Sequence, residues 1–344
     1  MKIKSVFLII VAVLLSFQSN NYAQMKKVAQ SGMTYLSISL GARESAMGNA
    51  SVASTSSMQG LFYNPGALTG LQDYGIVINH VSWLADTQLY GFGAAYSLGQ
   101  YGTVGLDMVY MDYGEIIGTK SVDKSVNERG FIITGNLDIK DYAVGLTYAF
   151  PVNDLFSFGV KIKYIHEDLG SVPIAVSEYQ DTSGVKQYVR TNKEWQINNW
   201  GFDFGALYKV GYKDLVLGVA FQNYSNDMKY FTEHFQLPLV LRMGLAMDVL
   251  KIWNDNGDDF ELNTSVDLLH PIDYTERVHI GTELGFKKMF FLRAGYKFNY
   301  DVEDFSFGLG FNFDSGGIGA TLDYAYTHVK FFNSVNRLSL NFTF

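Results

Sequence analysis

The sequence predicts an all-β protein: a transmembrane outer-membrane β-barrel of about fourteen antiparallel strands, with an N-terminal plug on the periplasmic side. Three observations carry this expectation. Apolar and polar residues alternate with period two from about Tyr74 to the last residue. The polar face of that alternation is built from small residues rather than a dense charged surface, and the connections alternate between short and long.

At the N-terminus, Lys2 and Lys4 precede an apolar run from Val6 to Phe17, and a short polar stretch leads to Ala23. That layout predicts a signal peptide over 1–23 with cleavage after Ala23, because its apolar core is too short for a spanning helix. Residues 24–73 follow as the predicted plug. Their centre, "GARESAMGNASVASTSSMQGLFYNPGAL" from Gly41 to Leu68, is small and nearly uncharged. Lacking a period of two it cannot form a wall strand, and lacking charge it is poorly suited to a solvated linker. Asn64-Pro65-Gly66 has turn chemistry and aims the chain at the first strand.

Residues 74–344 form the predicted barrel. Strands are expected near 74–82, 89–98, 102–113, 140–150, 156–167, 199–209, 214–225, 237–248, 259–269, 276–286, 289–300, 304–313, 317–327 and 334–344. In "FSFGVKIKYIHE", Phe156, Phe158, Val160, Ile162 and Tyr164 share one face, opposite Ser157, Gly159, Lys161, Lys163 and Glu167. "FSFGLGFNF" and "YAVGLTYAF" divide in the same way. A soluble sandwich would turn a charged face outward, whereas here Gly, Ser, Thr, Ala and Asn suit a crowded lumen and the oily face suits lipid. Segments of 9–12 residues match a tilted bilayer crossing.

Isolated charges fall on the inward face: Lys161, Lys163, Arg242, Asp267, Glu283, Arg293, Lys297 and Asp323. They are expected to pair with one another, the cations with Asp267, Glu283 and Asp323, since buried charge persists only when paired or hydrated. The lumen they line reads as more polar than apolar. Links after even-numbered strands are short, as at Leu98–Tyr101, Pro151–Asp154 and Asp314–Gly317, while long links span 114–139 and 168–198. That parity places both termini in the periplasm and the long links outside. The last strand, "RLSLNFTF", ends on Phe344, like the signal read by the outer-membrane insertion machinery.

Composition narrows the function. A net charge of −8, from 26 Lys+Arg against 34 Asp+Glu, excludes a basic nucleic-acid surface. The absence of Cys removes disulfides, thiolate metal sites, cysteine nucleophiles and a lipoprotein anchor. No catalytic motif is present, and neither a metal nor another cofactor is expected. The strand glycines read as packing sites, and "NDNGDDFE" (254–261) lacks the ligand spacing of a calcium loop, so it reads as a solvated turn. His80, His166, His234, His270, His279 and His328 are scattered and read as isolated interfacial residues, without a nucleophile that would make a rim enzyme.

"GMTYLSISLGARESAMGNASVA" followed by "LFYNPGAL" resembles the N-terminal signature of the PorV/PorQ family, which is related to FadL-type transporters of hydrophobic compounds. The match lies at Leu36, Ile38, Gly41, Ala42, Arg43, Met47, Gly48, Ala50, Val52, Ala53, Asn64, Pro65 and Leu68, about a tenth of the chain. Thr55, Ser56 and Ser57 stand where the family carries an acidic pair, and Gly66 stands where Ala is usual. The departure implies a plug without that acidic contact. The resemblance implies a barrel with a hatch, working in the type IX secretion system by binding secreted cargo domains or anchoring other components through the loops 114–139 and 168–198. The alternative is a FadL-like transporter of hydrophobic small molecules, which needs an apolar groove and an opening in the wall near the plug. The expected partners are outer-membrane lipid and, on the first reading, those secreted proteins; nucleic acid is not among them.

Overall fold

A computed structural model describes residues 30–180, 182, 186–252 and 259–344. The predicted signal peptide and most of the 254–261 turn lie outside the described residues.

The described residues form eighteen strands: β1 (Tyr74–Ser82), β2 (Gln88–Ser97), β3 (Thr103–Asp112), β4 (Ile116–Ser121), β5 (Phe131–Leu137), β6 (Lys140–Pro151), β7 (Phe156–Gln180), β8 (Lys186–Lys209), β9 (Val216–Ser225), β10 (Met228–Lys229), β11 (His234–Phe235), β12 (Val240–Asp248), β13 (Phe260–Pro271), β14 (Arg277–Phe286), β15 (Phe290–Phe298), β16 (Glu303–Ser315), β17 (Ile318–Val329) and β18 (Val335–Thr343). Fourteen of them close an antiparallel barrel in the order β1-β2-β3-β6-β7-β8-β9-β12-β13-β14-β15-β16-β17-β18, with β18 returning to β1. The predicted fold class is therefore the observed one. No helix among the described residues is long and apolar enough to cross a membrane.

Alternation decides the wall. In β16, Phe307, Leu309, Phe311 and Phe313 are 51, 60, 39 and 53% exposed, while Ser306, Gly308 and Gly310 at alternating positions are buried. An apolar face left this bare around a whole ring suits hydrocarbon rather than water. At the long-loop end, Tyr142, Tyr164 and Trp200 make successive ring contacts, one side of an aromatic girdle. The ring closes at a seam where Phe344 stacks on Tyr74 with centroids 4.4 Å apart, and its N–H donates to the Tyr74 carbonyl at 2.9 Å.

The structure departs from the sequence reading in the connections. The predicted loop 114–139 contains the β4–β5 hairpin, and 168–198 continues β7 and β8 as a ribbon paired from Ser171↔Glu194 to Gln180↔Lys186. The register slips between Asp168 and Ser171, where Gly170 takes a φ of 81° and the ribbon leaves the ring. Beyond the membrane neither face has lipid or lumen to select it, so no alternation marks these strands.

Inside the ring lies the segment before β1. Only a chain within the lumen can touch opposite walls, and this one donates from Ala42 N–H to Ser339 on β18 and accepts at the Leu61 carbonyl from Lys161 on β7. Wall glycines make room for it. A Cβ on Gly295 would stand 2.0 Å from the Gly48 nitrogen, one on Gly281 2.2 Å from the Met47 oxygen, and one on Gly218 2.4 Å from the Val52 oxygen. These contacts are backbone on backbone, so rotating a side chain cannot relieve an added methyl.

Gly295→Ala is accordingly expected to cost about 1–3 kcal/mol. It should raise protease cleavage within 30–71 while the heat-modifiable gel band of the intact barrel persists.

Candidate functional site

The lumen segment is a chain of short turns. Helical turns cover Thr34–Ser37, Ala42–Ala46, Met58–Leu61 and Pro65–Gly70. Asn64 caps the last of these: its side-chain oxygen accepts from Gly66 N–H at 3.1 Å, while its amide donates to the carbonyls of Val52 (2.8 Å) and Ala206 (3.2 Å). Pro65 takes the first helical position, where its missing N–H costs nothing, and Ser157 on β7 donates to the Gly66 carbonyl at 3.0 Å.

Further up, Gly41 N–H donates to the Tyr63 hydroxyl at 2.9 Å, and Met47 is fully buried. Gly48, at φ 64°, donates to the Ser45 carbonyl (3.0 Å) and to Ser306 Oγ on β16 (3.1 Å). Gly41, Ala42, Arg43, Met47, Gly48, Asn64, Pro65 and Gly66 all lie inside the ring and touch one another or the wall.

Arg43 joins the segment to the charged wall. Its Nε and Nη2 donate to the two oxygens of Glu283 at 2.9 and 2.8 Å, a bidentate geometry. Arg293 reaches the same carboxylate at 2.5 Å and Asp323 at 2.7 Å. Asp267 forms no ion pair among the described residues: one of its oxygens accepts the N–H groups of Ser51 (2.7 Å) and Val52 (2.9 Å).

On the opposite wall, Lys161 meets Asp107 at 2.6 Å and Lys163 meets Asp203 at 2.8 Å. On the Arg293 side, Lys297 pairs with Glu303. The expected pairings are thus corrected. Arg293 takes two predicted acids, but Lys161, Lys163 and Lys297 take acids the sequence reading passed over. The Nε and Nη1 of Arg242 have no partner among the described residues.

Several of these links skip a strand. Lys161 on β7 crosses β6 to reach Asp107 on β3, and a Cβ on Gly145 of β6 would stand 2.3 Å from its chain. Arg293 on β15 crosses Gly310 of β16 to Asp323 on β17, and Asp267 on β13 crosses Gly244 of β12 to Val52. A glycine on the middle strand is the signal that could have located these partners.

The plug also holds an acid, contrary to the expectation drawn from residues 55–57. Glu44 is fully buried, 3.7 Å from Arg43, and Thr55 donates to it at 3.2 Å. A carboxylate at Thr55 would meet Glu44 as a like charge, which explains the hydroxyl there.

The lumen is not uniformly polar. Its long-loop half is lined by Val81, Leu89, Val109, Met111, Ile165, Ile197 and Leu237, packed against Met33, Tyr35 and Leu40 of the N-terminal segment. This overturns the expectation of a polar lumen: the inward positions change from charged to apolar along single strands, as between Lys163 and Ile165 or Asp107 and Val109. Beneath that half a cavity of about 50 Å³ remains, bounded by Tyr35, Ile38, Lys163, Asp203 and Arg242. Tyr113 and Tyr230, packed against the apolar cluster, donate to Asp141 and Glu167. Burial pushes the Tyr113 phenol well above its ordinary value and the Asp141 acceptor adds to this, so it remains a donor.

Next to the cavity the wall is irregular. Gln222 and Asn223 of β9 oppose the single residue Asp203 of β8, a β-bulge with Asn223 at φ 65°. Asn223 N–H donates to Asp203 at 2.7 Å, and its side chain binds Lys163 (2.5 Å) and the Pro238 carbonyl (2.9 Å). Gln222 donates to the Phe62 carbonyl at 2.9 Å, tying the bulge to the plug.

Of the histidines, His279 is not interfacial but buried in the lumen, bonded to the Asn49 carbonyl (3.2 Å) and the Tyr300 hydroxyl (2.9 Å). His328 lies 2.8 Å from Asp304 at the rim. Among the described residues no group of three or more His, Asp or Glu is placed to hold a metal ion.

The fold is similar to that of the Pseudomonas putida toluene transporter TodX, with 13% identity over 88% of this chain and 96% of that chain and a TM-score of 0.53. A TodX deltaS2S3 mutant, a monoaromatic hydrocarbon channel, gives 13% identity, 88% and 97% coverage and a TM-score of 0.53. At 13% identity the likeness is one of fold. No family model matches the chain, and no curated protein matches it.

Glu283→Gln leaves Arg43 and Arg293 without their shared charge and is expected to cost about 3 kcal/mol or more in urea unfolding. Adding Arg43→Met should recover part of that loss, and the double-mutant cycle measures the coupling.

Proposed function

We propose that the protein is a FadL-like outer-membrane transporter for hydrophobic small molecules. The observation that carries this reading is the apolar long-loop half of the lumen, occupied by the protein's own N-terminal segment. Such a lining costs nothing to an apolar solute and offers little to an ion or a sugar.

The cavity of about 50 Å³ is well below the roughly 150 Å³ that takes a benzene ring. Passage therefore requires residues 33–40 to leave their seat. A solute that replaces Leu40 or Met33 on the wall recovers contacts worth roughly 1.5–3 kcal/mol per buried side chain, so release of the segment is coupled to apolar binding. The bulge at Asn223 supplies the irregular wall beside the cavity that a lateral exit needs. With the short turns facing the periplasm, both termini lie on that side.

One observation favours a second reading. The β4–β5 hairpin and the β7–β8 ribbon stand beyond the ring, with Ile117, Val126 and Ile133 of the first segment 56, 70 and 66% exposed. These surfaces suit a protein partner, as the secretion role would require.

Deletion of the gene separates the two. Uptake of a monoaromatic hydrocarbon is expected to fall and to return with the wild-type gene, while proteins bearing a C-terminal secretion domain still reach the cell surface. Normal uptake with lost surface display would overturn the transporter reading.

A further inference from the structure

The lipid-facing surface over β14–β18 is furrowed. Leu284, Leu292 and Leu309 are register partners on successive strands, and Phe286, Phe290 and Phe311 form the next such row toward the short-turn end. Between the two rows the partners are Gly285, Phe291 and Gly310. This middle row belongs to the inward face, where a Cβ on Gly310 would meet the Arg293 side chain, so the floor of the furrow is backbone.

The furrow continues onto β17 and β18 and encloses about 450 Å³. At about 4.8 Å per strand it runs for roughly 20 Å, enough to cover the roughly 15 Å of hydrocarbon in one leaflet when tilted.

Its short-turn mouth is basic. Phe286-Lys287-Lys288-Met289 joins β14 to β15, closed by Met289 N–H on the Phe286 carbonyl at 3.0 Å. Lys287 and Lys288 have φ of 53° and 55°, the left-handed geometry of a type I′ turn, for which Asn-Gly is favoured. Two lysines occupy a turn that disfavours their backbone, so the charge is kept against conformational preference. Lys287 Nζ stands 5.4 Å from the centre of the Phe286 ring, where the furrow opens. Across the turn, Asp259 accepts the Lys287 N–H at its backbone carbonyl (2.7 Å), and Glu261 on β13 lies against Gly285 on the lumen side of the wall, where it feels the Lys288 charge.

We propose that this furrow is a binding site for one anionic phospholipid, an acyl chain lying between the leucine and phenylalanine rows and the phosphate on Lys287 and Lys288. A charge at the mouth of an apolar groove matches an amphiphile held in the bilayer, and the turn lies at the depth where headgroups begin. The site is independent of what passes through the lumen.

The test uses the full-length protein in neutral detergent, examined by native mass spectrometry with phosphatidylglycerol or phosphatidylcholine. The wild type is expected to retain phosphatidylglycerol at least about tenfold more tightly, given two lysines near the headgroup. The K287N/K288G variant supplies the residues the turn favours, so it folds at least as well, and it should lose the preference. Leu292→Trp, which fills the furrow, should reduce retention of both lipids. Equal retention by the wild type, or a preference that survives K287N/K288G, overturns the proposal. So does a dimer that cross-links through cysteines at 292 and 309 and excludes lipid, which would make a second copy the occupant.

Discussion

The structure depends on one close fit: plug backbone laid directly against wall backbone. Met47 and Gly48 press on Gly281 and Gly295, Val52 on Gly218, and Pro65 on Gly159, at separations that no side chain on the wall could share. The other features follow from it. The plug must be built from small residues and short turns because helices of ordinary diameter would not fit beside so many inward side chains. Its many backbone N–H and C=O groups, taken from water, need partners, and the wall supplies Ser339, Asp267, Lys161 and Gln222.

The charges act within that fit. Glu283 takes Arg43 from the plug and Arg293 from the wall, so one carboxylate neutralises cations from two separate parts of the chain. Charges buried in this way hold position more than they add stability. They occupy the middle of the lumen, while the long-loop half is mainly apolar and holds the N-terminal segment by packing and a few hydrogen bonds, such as Gly32 N–H to the Gln236 carbonyl (2.9 Å) and Arg337 to the Ser39 carbonyl (2.9 Å). The N-terminal segment is thus anchored by ions at one level and by removable contacts at another, an arrangement suited to a part that must yield locally.

How much of this was legible depended on whether the environment imposes a pattern. Phe305 to Phe313 alternate because one side meets lipid and the other the lumen, and that contrast gave the strand number and the closed ring. Past Asp168 the contrast ends, and the ribbon of β7 and β8 read as a loop. The apolar half of the lumen was missed because Val81, Leu89 and Ile165 carry no mark that separates an inward apolar position from an ordinary core one. Ion partners were missed for a geometric reason: Lys161 and Asp107 are 54 positions apart on strands that are not neighbours. Such pairs become visible only once the register is known and Gly145 is seen to lie between them. The small residues around Gly41, by contrast, announced their surroundings directly.

The seam between β1 and β18 sets the order of assembly. Phe344, next to β18, rests on Tyr74, the first residue of the wall, so the ring can shut only after β18 has been made. A shut ring has no side through which a folded segment of some forty residues could be threaded, and the plug lies at the far N-terminal end. The interior must therefore be furnished before the wall is completed, with β1 and β18 as the last edges to meet. This delays the pairing of greatest sequence separation to the final step and leaves two open edges until then. A protein built this way is most vulnerable just before closure, and the contact of Phe344 with Tyr74 serves as the latch.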